Sequence, residues 1–388
     1  MVTSISINSF EEIIIPASAH PLVSHATASS RLVRSLLGER VEKTPVWFMR
    51  QAGRSLPEYR ALRSQGSMLD ACLTPELASE ITLQPVRRHG VDAAIFFSDI
   101  IVPLAILGIE VEIAAGRGPV FAQPLRTAAD IARAVEIDPR LVRERGEAIA
   151  RAVELTTGML AEESESRGEA VPLIGFAGAP FTLAAYLVEG GPSKDHLAAR
   201  RLIHEDPAAW RALTEWLARV TGEFLALQVE SGASAAQLFD SWAGGLPPED
   251  YRAAALPASA ASFDAVRALP VPAGAGIDHI PLVHFGVGTG EILRDMASID
   301  IDALGVDYRV PLDEAARRVG PELTLQGNLD PALLFAPAPV RDAAIARILE
   351  AGRAARAHVF NLGHGVPMEA DPDAISSVVR TVHQWRAG

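Results

Sequence analysis

The stretch VWFMRQAGRSLPEYRALR, Val46 to Arg63, decides how the rest of the chain is read. Its first four residues are apolar, as in a short strand buried on both faces. Arg50 and Gln51 follow with no spacer, and Gly53 and Pro57 break any continuous helix behind them. Arg50, Arg54, Arg60 and Arg63 gather positive charge in this stretch of an acidic chain. A solvated helix face would explain such a cluster, but the breakers fit a loop carrying an anion site better.

The same strand-then-polar unit repeats along the sequence. Strand candidates are VWFM from Val46, AAIFF from Ala93, LIGFA from Leu173, AAQLF from Ala235, PLVHF from Pro281, ALGV from Ala303, LTLQG from Leu323 and HVFNL from His358, eight in all. Between them lie amphipathic segments such as PELASEITLQPVRRHG and DPAAWRALTEWLARVTGEFLALQVESG, with Pro or Asp starts and Gly stops. Eight alternating units predict an α/β fold, a single-domain (β/α)8 TIM barrel; a doubly wound sheet fits the same alternation. In a barrel the functional groups belong at the C-terminal strand ends. Polar residues do collect there: Arg50 and Gln51, Ser98 and Asp99, Asp240 and Ser241, Gln326 and Asn328, Asn361 and His364.

The chain has 388 residues, 49% hydrophobic and 21% charged, enough for one large core. Residues 1–28 show no sustained period and are expected to form a poorly ordered N-terminal extension, with residues 29–388 as the catalytic barrel. No apolar run approaches the roughly 18 residues of a membrane span, and no signal sequence is evident, so a cytoplasmic protein is expected. A net charge of −13 argues against nucleic acid or anionic membrane as partner. The single cysteine, Cys72, excludes a disulfide framework and cysteine-rich zinc sites.

Motifs narrow the chemistry further. GVGTGE from Gly286 follows a strand but lacks GxGxxG spacing and a P-loop lysine, so a plain glycine-rich turn competes with phosphate binding. The histidines show no metal spacing, and FDSWAG around Ser241 is not a nucleophile elbow. The two lysines, Lys43 and Lys194, are badly placed for Schiff-base chemistry. What remains is a pocket with arginines on one rim and Asp99 on another strand. Guanidinium groups grip carboxylates bidentately, which suits a polycarboxylate ligand. Asp99 behind AAIFF suits a partly desolvated carboxylate that stabilises a developing cation; a helix cap and an arginine's ion-pair partner are equally open.

Two longer segments then carry a resemblance. PVWFMRQAGRSLPEYR, Pro45 to Arg60, and GFAGAPFTLAAYLVEGG, Gly175 to Gly191, closely resemble the signature segments of the uroporphyrinogen decarboxylase family, and FFSDI, QLFDSWAG, LQGNLDP and NLGHG follow in that family's order. The resemblance runs from about Ser30 to the C-terminus. It implies a (β/α)8 barrel acting as a homodimer, with no cofactor and no metal, that removes the four acetate carboxyls of uroporphyrinogen III to give coproporphyrinogen III in haem biosynthesis. By the same resemblance Arg50, Gln51, Arg54 and Arg63 bind substrate carboxylates. Asp99 receives the pyrrole N–H groups, with Tyr186, Ser241 and His364 around it. Arg50 and Asp99 are the candidate catalytic residues. A cobalamin-linked methyltransferase on a similar scaffold is the main rival, and it needs zinc ligands that a lone Cys72 does not supply.

Overall fold

The structure, a computed structural model, describes residues 20–53, 55–62, 66–114 and 117–386. Its strands are β1 (Ala94–Ile95), β2 (Val111–Ala114), β3 (Gly118–Phe121), β4 (Leu173–Gly178), β5 (Ala235–Asp240), β6 (Leu282–Gly286), β7 (Ala303–Gly305), β8 (Thr324–Gln326) and β9 (His358–Val359). Seven of them form one curled parallel sheet in the order β1-β4-β5-β6-β7-β8-β9. Every residue of β4 and β6 is buried, as strands covered on both faces must be. Helices carry the chain back between consecutive strands. Pro75–His89 begins with Pro at its first position, and Pro207–Glu230 is capped by Asp206, whose side chain accepts the Ala209 N–H.

Seven of the strand candidates read from the sequence correspond to these seven strands. The first, at Val46, instead lies against both edges of the sheet. Val46 forms a parallel bridge with Phe360. The Phe360 N–H donates to Pro45 O at 2.8 Å and the Trp47 N–H to Phe360 O at 3.3 Å, while on the other side the Asp92 N–H donates to Val46 O at 2.8 Å. Below the segment, the buried Asp92 carboxylate accepts the Val46 N–H at 2.7 Å, Arg31 Nη2 at 2.7 Å and His383 Nε2 at 2.8 Å. One carboxylate thus joins an N-terminal helix, the edge segment and the last helix, Pro372–Gln384. Across the interior, Trp47 Nε1 donates to Gln326 Oε1 and Gln326 Nε2 to Gln237 Oε1, both at 3.0 Å. The antiparallel pair β2–β3, between β1 and β4, was not foreseen from the sequence.

The packed chain begins earlier than the expected extension boundary at residue 28. Leu22 is fully buried, His20 Nε2 lies 2.8 Å from Val229 O, and Thr27 Oγ1 lies 2.8 Å from Ser234 Oγ. Residues 20–28 therefore belong to the folded core, and residues 1–19 lie outside the described residues. Among the described residues, no helix is long and apolar enough to cross a membrane.

Two core histidines make the fold sensitive to acid. Burial, with Arg88 beside it, pulls His89 down to about 4, and burial pulls His358 down to about 4 against the carbonyl of Gly327. Both are neutral in the fold and bind protons only on unfolding, so their stabilisation is complete above pH about 6.5 and is lost as pH falls from there toward about 4. Urea denaturation at successive pH values is expected to show stability falling across that window, and the fall should shrink in His89→Gln. An unchanged midpoint between pH 7 and pH 4.5 would contradict the neutral assignment.

Candidate functional site

The C-terminal strand ends collect the polar residues, and each is placed by a separate local device. Arg50 terminates the edge segment in a left-handed conformation, φ +59°, which costs a residue with a side chain about 1–2 kcal/mol. The surroundings enforce it. Gln51 accepts the Phe48 N–H at 2.9 Å through its Oε1 and donates from Nε2 to Ala93 O at 3.0 Å. Asn361 Oδ1 accepts the Met49 N–H at 3.1 Å, and the Val366 N–H donates to Met49 O at 2.9 Å. The Arg50 stem lies over Gly365, where an added Cβ would stand 2.6 Å from Arg50 Cδ. Arg50 leaves this rigid turn as an exposed residue.

Asp99 follows β1 and keeps a partly open face. One carboxylate oxygen accepts the Ile101 N–H at 3.1 Å, so the capping alternative is partly realised as a local turn. Burial pushes its carboxyl above the ordinary aspartate range, opposed by the N–H groups of Ile101 and Ile100 and by the charge of Arg50.

Tyr186 projects from helix Pro180–Glu189 and stacks on Trp242, with ring centroids 3.9 Å apart and 26° between planes; Trp242 in turn stacks on His196 at 4.2 Å. Burial first, then the negative charge of Asp99, pushes the Tyr186 hydroxyl up to about 12 against the pull of Arg50. It remains a donor at neutral pH. Ser241 is half-buried directly after β5. Its loop is fixed from below: Thr182 Oγ1 donates to the buried Asp240 at 3.0 Å and accepts the Trp242 N–H at 3.3 Å.

His364 completes the group. Its Nδ1 accepts the Gly365 N–H at 2.7 Å, so the neutral ring carries its proton on Nε2. Burial, then the charges of Arg50 and Arg309, pull its pKa down against Asp307. Arg50 thus acts electrostatically on Asp99, Tyr186 and His364 together. The rings of Phe176, Phe239 and Phe285 meet edge to face, with centroids 5.4 and 5.9 Å apart, and Phe239 remains half-buried beside Ser241. Positive charge, one desolvated carboxylate, neutral donors and apolar surface together suit a flat, apolar ligand that carries carboxylates.

Several strand-end residues turn out to be scaffolding. Gln51 is 1% exposed with both ends of its amide occupied, so positioning the Arg50 turn replaces the direct ligand contact expected of it. Asp240, Gln326 and Asn361 are likewise buried and committed to neighbours. Arg54 and Arg63 lie outside the described residues. In the GVGTGE turn the Gly288 N–H donates to the Asp307 carboxylate, which removes that amide from phosphate binding and favours the plain-turn reading. Arg309, Asp307 and Trp242 went unremarked in the sequence, although the polar DYR directly behind the ALGV strand marked two of them. Among the described residues, no group of three His, Cys, Asp or Glu side chains is arranged to hold a metal ion.

The Gln51 geometry is testable. Gln51→Ala leaves the Phe48 N–H and Ala93 C=O unpaired in the interior, at about 1–3 kcal/mol each. Chemical denaturation should show a loss of several kcal/mol, and any weakening of binding should accompany that loss, because it comes from the loosened Arg50 turn. Unchanged stability with weakened binding would restore a direct contact.

Comparison with known proteins identifies the family of the chain. Residues 27–385 match the family model described as uroporphyrinogen decarboxylase. A uroporphyrinogen decarboxylase of Leifsonia xyli subsp. xyli is 59% identical over 375 residues, covering 95% of this chain and 98% of the relative. One of Streptomyces griseus is 54% identical over 365 residues, covering 94% of each. Among solved structures, a methyltransferase from Methanosarcina mazei superposes with a TM-score of 0.68 at 18% identity, covering 92% of this chain and 98% of the other, a likeness of fold alone. With nearly its whole described length matched by both model and relatives, the chain belongs to the uroporphyrinogen decarboxylase family.

Proposed function

We propose that this protein removes the four acetate carboxyls of uroporphyrinogen III to give coproporphyrinogen III and carbon dioxide, without metal or cofactor. The observation that carries the reading is a desolvated Asp99 within reach of the charge of Arg50, the two placed at adjoining strand ends in a chain of this family. The substrate carries eight carboxylates, and an acidic chain must concentrate cations where they dock. Arg50 serves that role, with Arg54 and Arg63 assigned beside it on sequence alone.

The reaction needs an electron sink, and the pyrrole ring supplies one. Protonation of a ring carbon makes the ring cationic, and the acetate C–C bond breaks with loss of carbon dioxide to leave a neutral exocyclic methylene. The methylene is protonated to methyl, and the ring carbon then releases its proton to restore the aromatic pyrrole, so one proton is consumed for each carbon dioxide released. Asp99 faces the N–H groups and stabilises the cation, its charge strengthened by the poorly solvated surroundings. Tyr186 and His364, both neutral donors, orient carboxylates without adding charge at the ring. Phe239 and Trp242 supply apolar surface for the macrocycle. Arg50 orients and neutralises; proton donation from it would require an unusually strong base opposite.

In this reading the Val46–Met49 segment is the eighth stave of a closed (β/α)8 barrel, hydrogen-bonded to both neighbours. The protein acts as a homodimer in the cytoplasm. The activity is tested by incubating metal-free protein with uroporphyrinogen and separating the oxidised products by chromatography. Coproporphyrin and its partly decarboxylated precursors are expected; unchanged uroporphyrin would overturn the reading.

Asp99→Asn separates catalysis from structure. A carboxyl whose pKa is raised in the fold is favoured protonated, so above that raised pKa its ionised form costs stability relative to the unfolded chain. The asparagine variant, with its side-chain oxygen still able to accept the Ile101 N–H, should be at least as stable at pH 7. Single turnover should fall by about 100- to 1000-fold with substrate affinity much less affected. Full turnover in a normally stable variant would remove Asp99 from the mechanism, and a marked loss of stability would make it an ion-pair partner instead.

A further inference from the structure

The turn after β7 presents an arginine that no feature of the signature segments covers. Asp307 and Arg309 pair at 2.8 Å, but unequally: the Asp307 side chain is 1% exposed and that of Arg309 51%. The carboxylate beneath is saturated, accepting the Arg309 N–H at 2.8 Å through Oδ1 and both Arg309 Nη1 and the Gly288 N–H through Oδ2. Arg309 Nε and Nη2 have no hydrogen-bond partner among the described residues, and the guanidinium lies 4.5 Å from the centre of the Tyr308 ring.

The turn itself is rigid. Asn328 Nδ2 donates to Asp307 O at 2.8 Å and to Val310 O at 2.6 Å, closing the turn from β8. Gly363 approaches so closely that a Cβ there would stand 2.1 Å from Tyr308 N. Arg309 is thus a preorganised fork on a buried pedestal, and its charge acts on His364, the residue that Arg50 also acts on. Asp99 follows a different strand, β1, and the charge that acts on it is that of Arg50.

We propose that Arg309, with the Nε2–H of His364, forms a separate subsite that binds a spectator carboxylate of the substrate, a propionate rather than the acetate being removed. This rests on the decarboxylase reading above. An arginine clamped on the departing carboxylate would stabilise the reactant's charge and lose that interaction as neutral carbon dioxide forms, raising the barrier. A fixed fork away from Asp99 binds ground state and transition state alike, so it contributes affinity and register.

The test is steady-state kinetics on the metal-free protein with uroporphyrinogen, together with inhibition by coproporphyrinogen, which retains only the propionates. Arg309→Lys keeps a cation over Asp307 but loses the fork. KM for uroporphyrinogen and the inhibition constant of coproporphyrinogen should both rise roughly tenfold or more, with kcat little changed. The double variant Asp307→Asn, Arg309→Leu removes both charges together and covers loss of folding in the single variant; it should show the same rises. Unchanged constants in Arg309→Lys, or a return to wild-type constants in the double variant, would make Arg309 only the counter-charge of Asp307. A rise in KM without a rise in the inhibition constant would overturn the propionate assignment. Wild-type protein without turnover would instead remove the decarboxylase reading on which the subsite rests.

Discussion

The constraint on which the rest depends is that the backbone of Pro45–Met49 finds hydrogen-bond partners on both sides of the curled sheet. Phe360 takes one edge and Asp92 the other, and the remaining amides are satisfied by the Asp92, Gln51 and Asn361 side chains. Buried peptide groups left unpaired cost about 1–3 kcal/mol each, so a segment with this many partners is held in a single register. That register delivers Arg50 to the mouth of the sheet. Below it, Asp92 ties the same segment to helices from both ends of the chain, which couples the site to the integrity of the whole fold.

At the mouth the site divides by charge. The charge of Arg50 acts on the desolvated Asp99, while Tyr186 and His364 are kept neutral by burial and by their neighbours. In the proposed reaction three tasks fall to separate groups: attracting a polyanion, presenting neutral donors to its carboxylates, and reserving one negative charge for a cation that exists only during reaction. A net charge of −13 over the whole chain sharpens the contrast by leaving anions few other places to bind.

Much of this was legible in the residues. Runs such as LIGFA and PLVHF are apolar on both faces, and that signal survives because parallel strands are covered on both sides. Arg50, Asp99 and His364 were also named from their places at strand ends, and these three with Tyr186 through the family resemblance. The roles of Gln51, Asn361 and Gln326 were not legible, because a polar side chain at a strand end reads the same whether it meets a ligand or a backbone group. Residues 20–28 were misplaced because His20 and Leu22 find their partners through tertiary contacts, including one more than two hundred residues away, with no periodic pattern to announce them. Arg309 was lost among arginines, since all but Lys43 and Lys194 of the 35 basic residues are of that type. What marks it is burial of its counter-charge, which only the fold reveals.

The claim that the site hangs on the inserted edge segment is tested most directly by native-state amide hydrogen exchange at Val46, Trp47, Phe48 and Met49. If the segment is a stave of a closed barrel, these four amides exchange only through global unfolding, with the same free energy and denaturant dependence as amides in β4 and β5. Exchange through local opening, insensitive to denaturant and far faster than in the central strands, would mean that the segment lies on the sheet as a loop and that the placement of Arg50 has another origin.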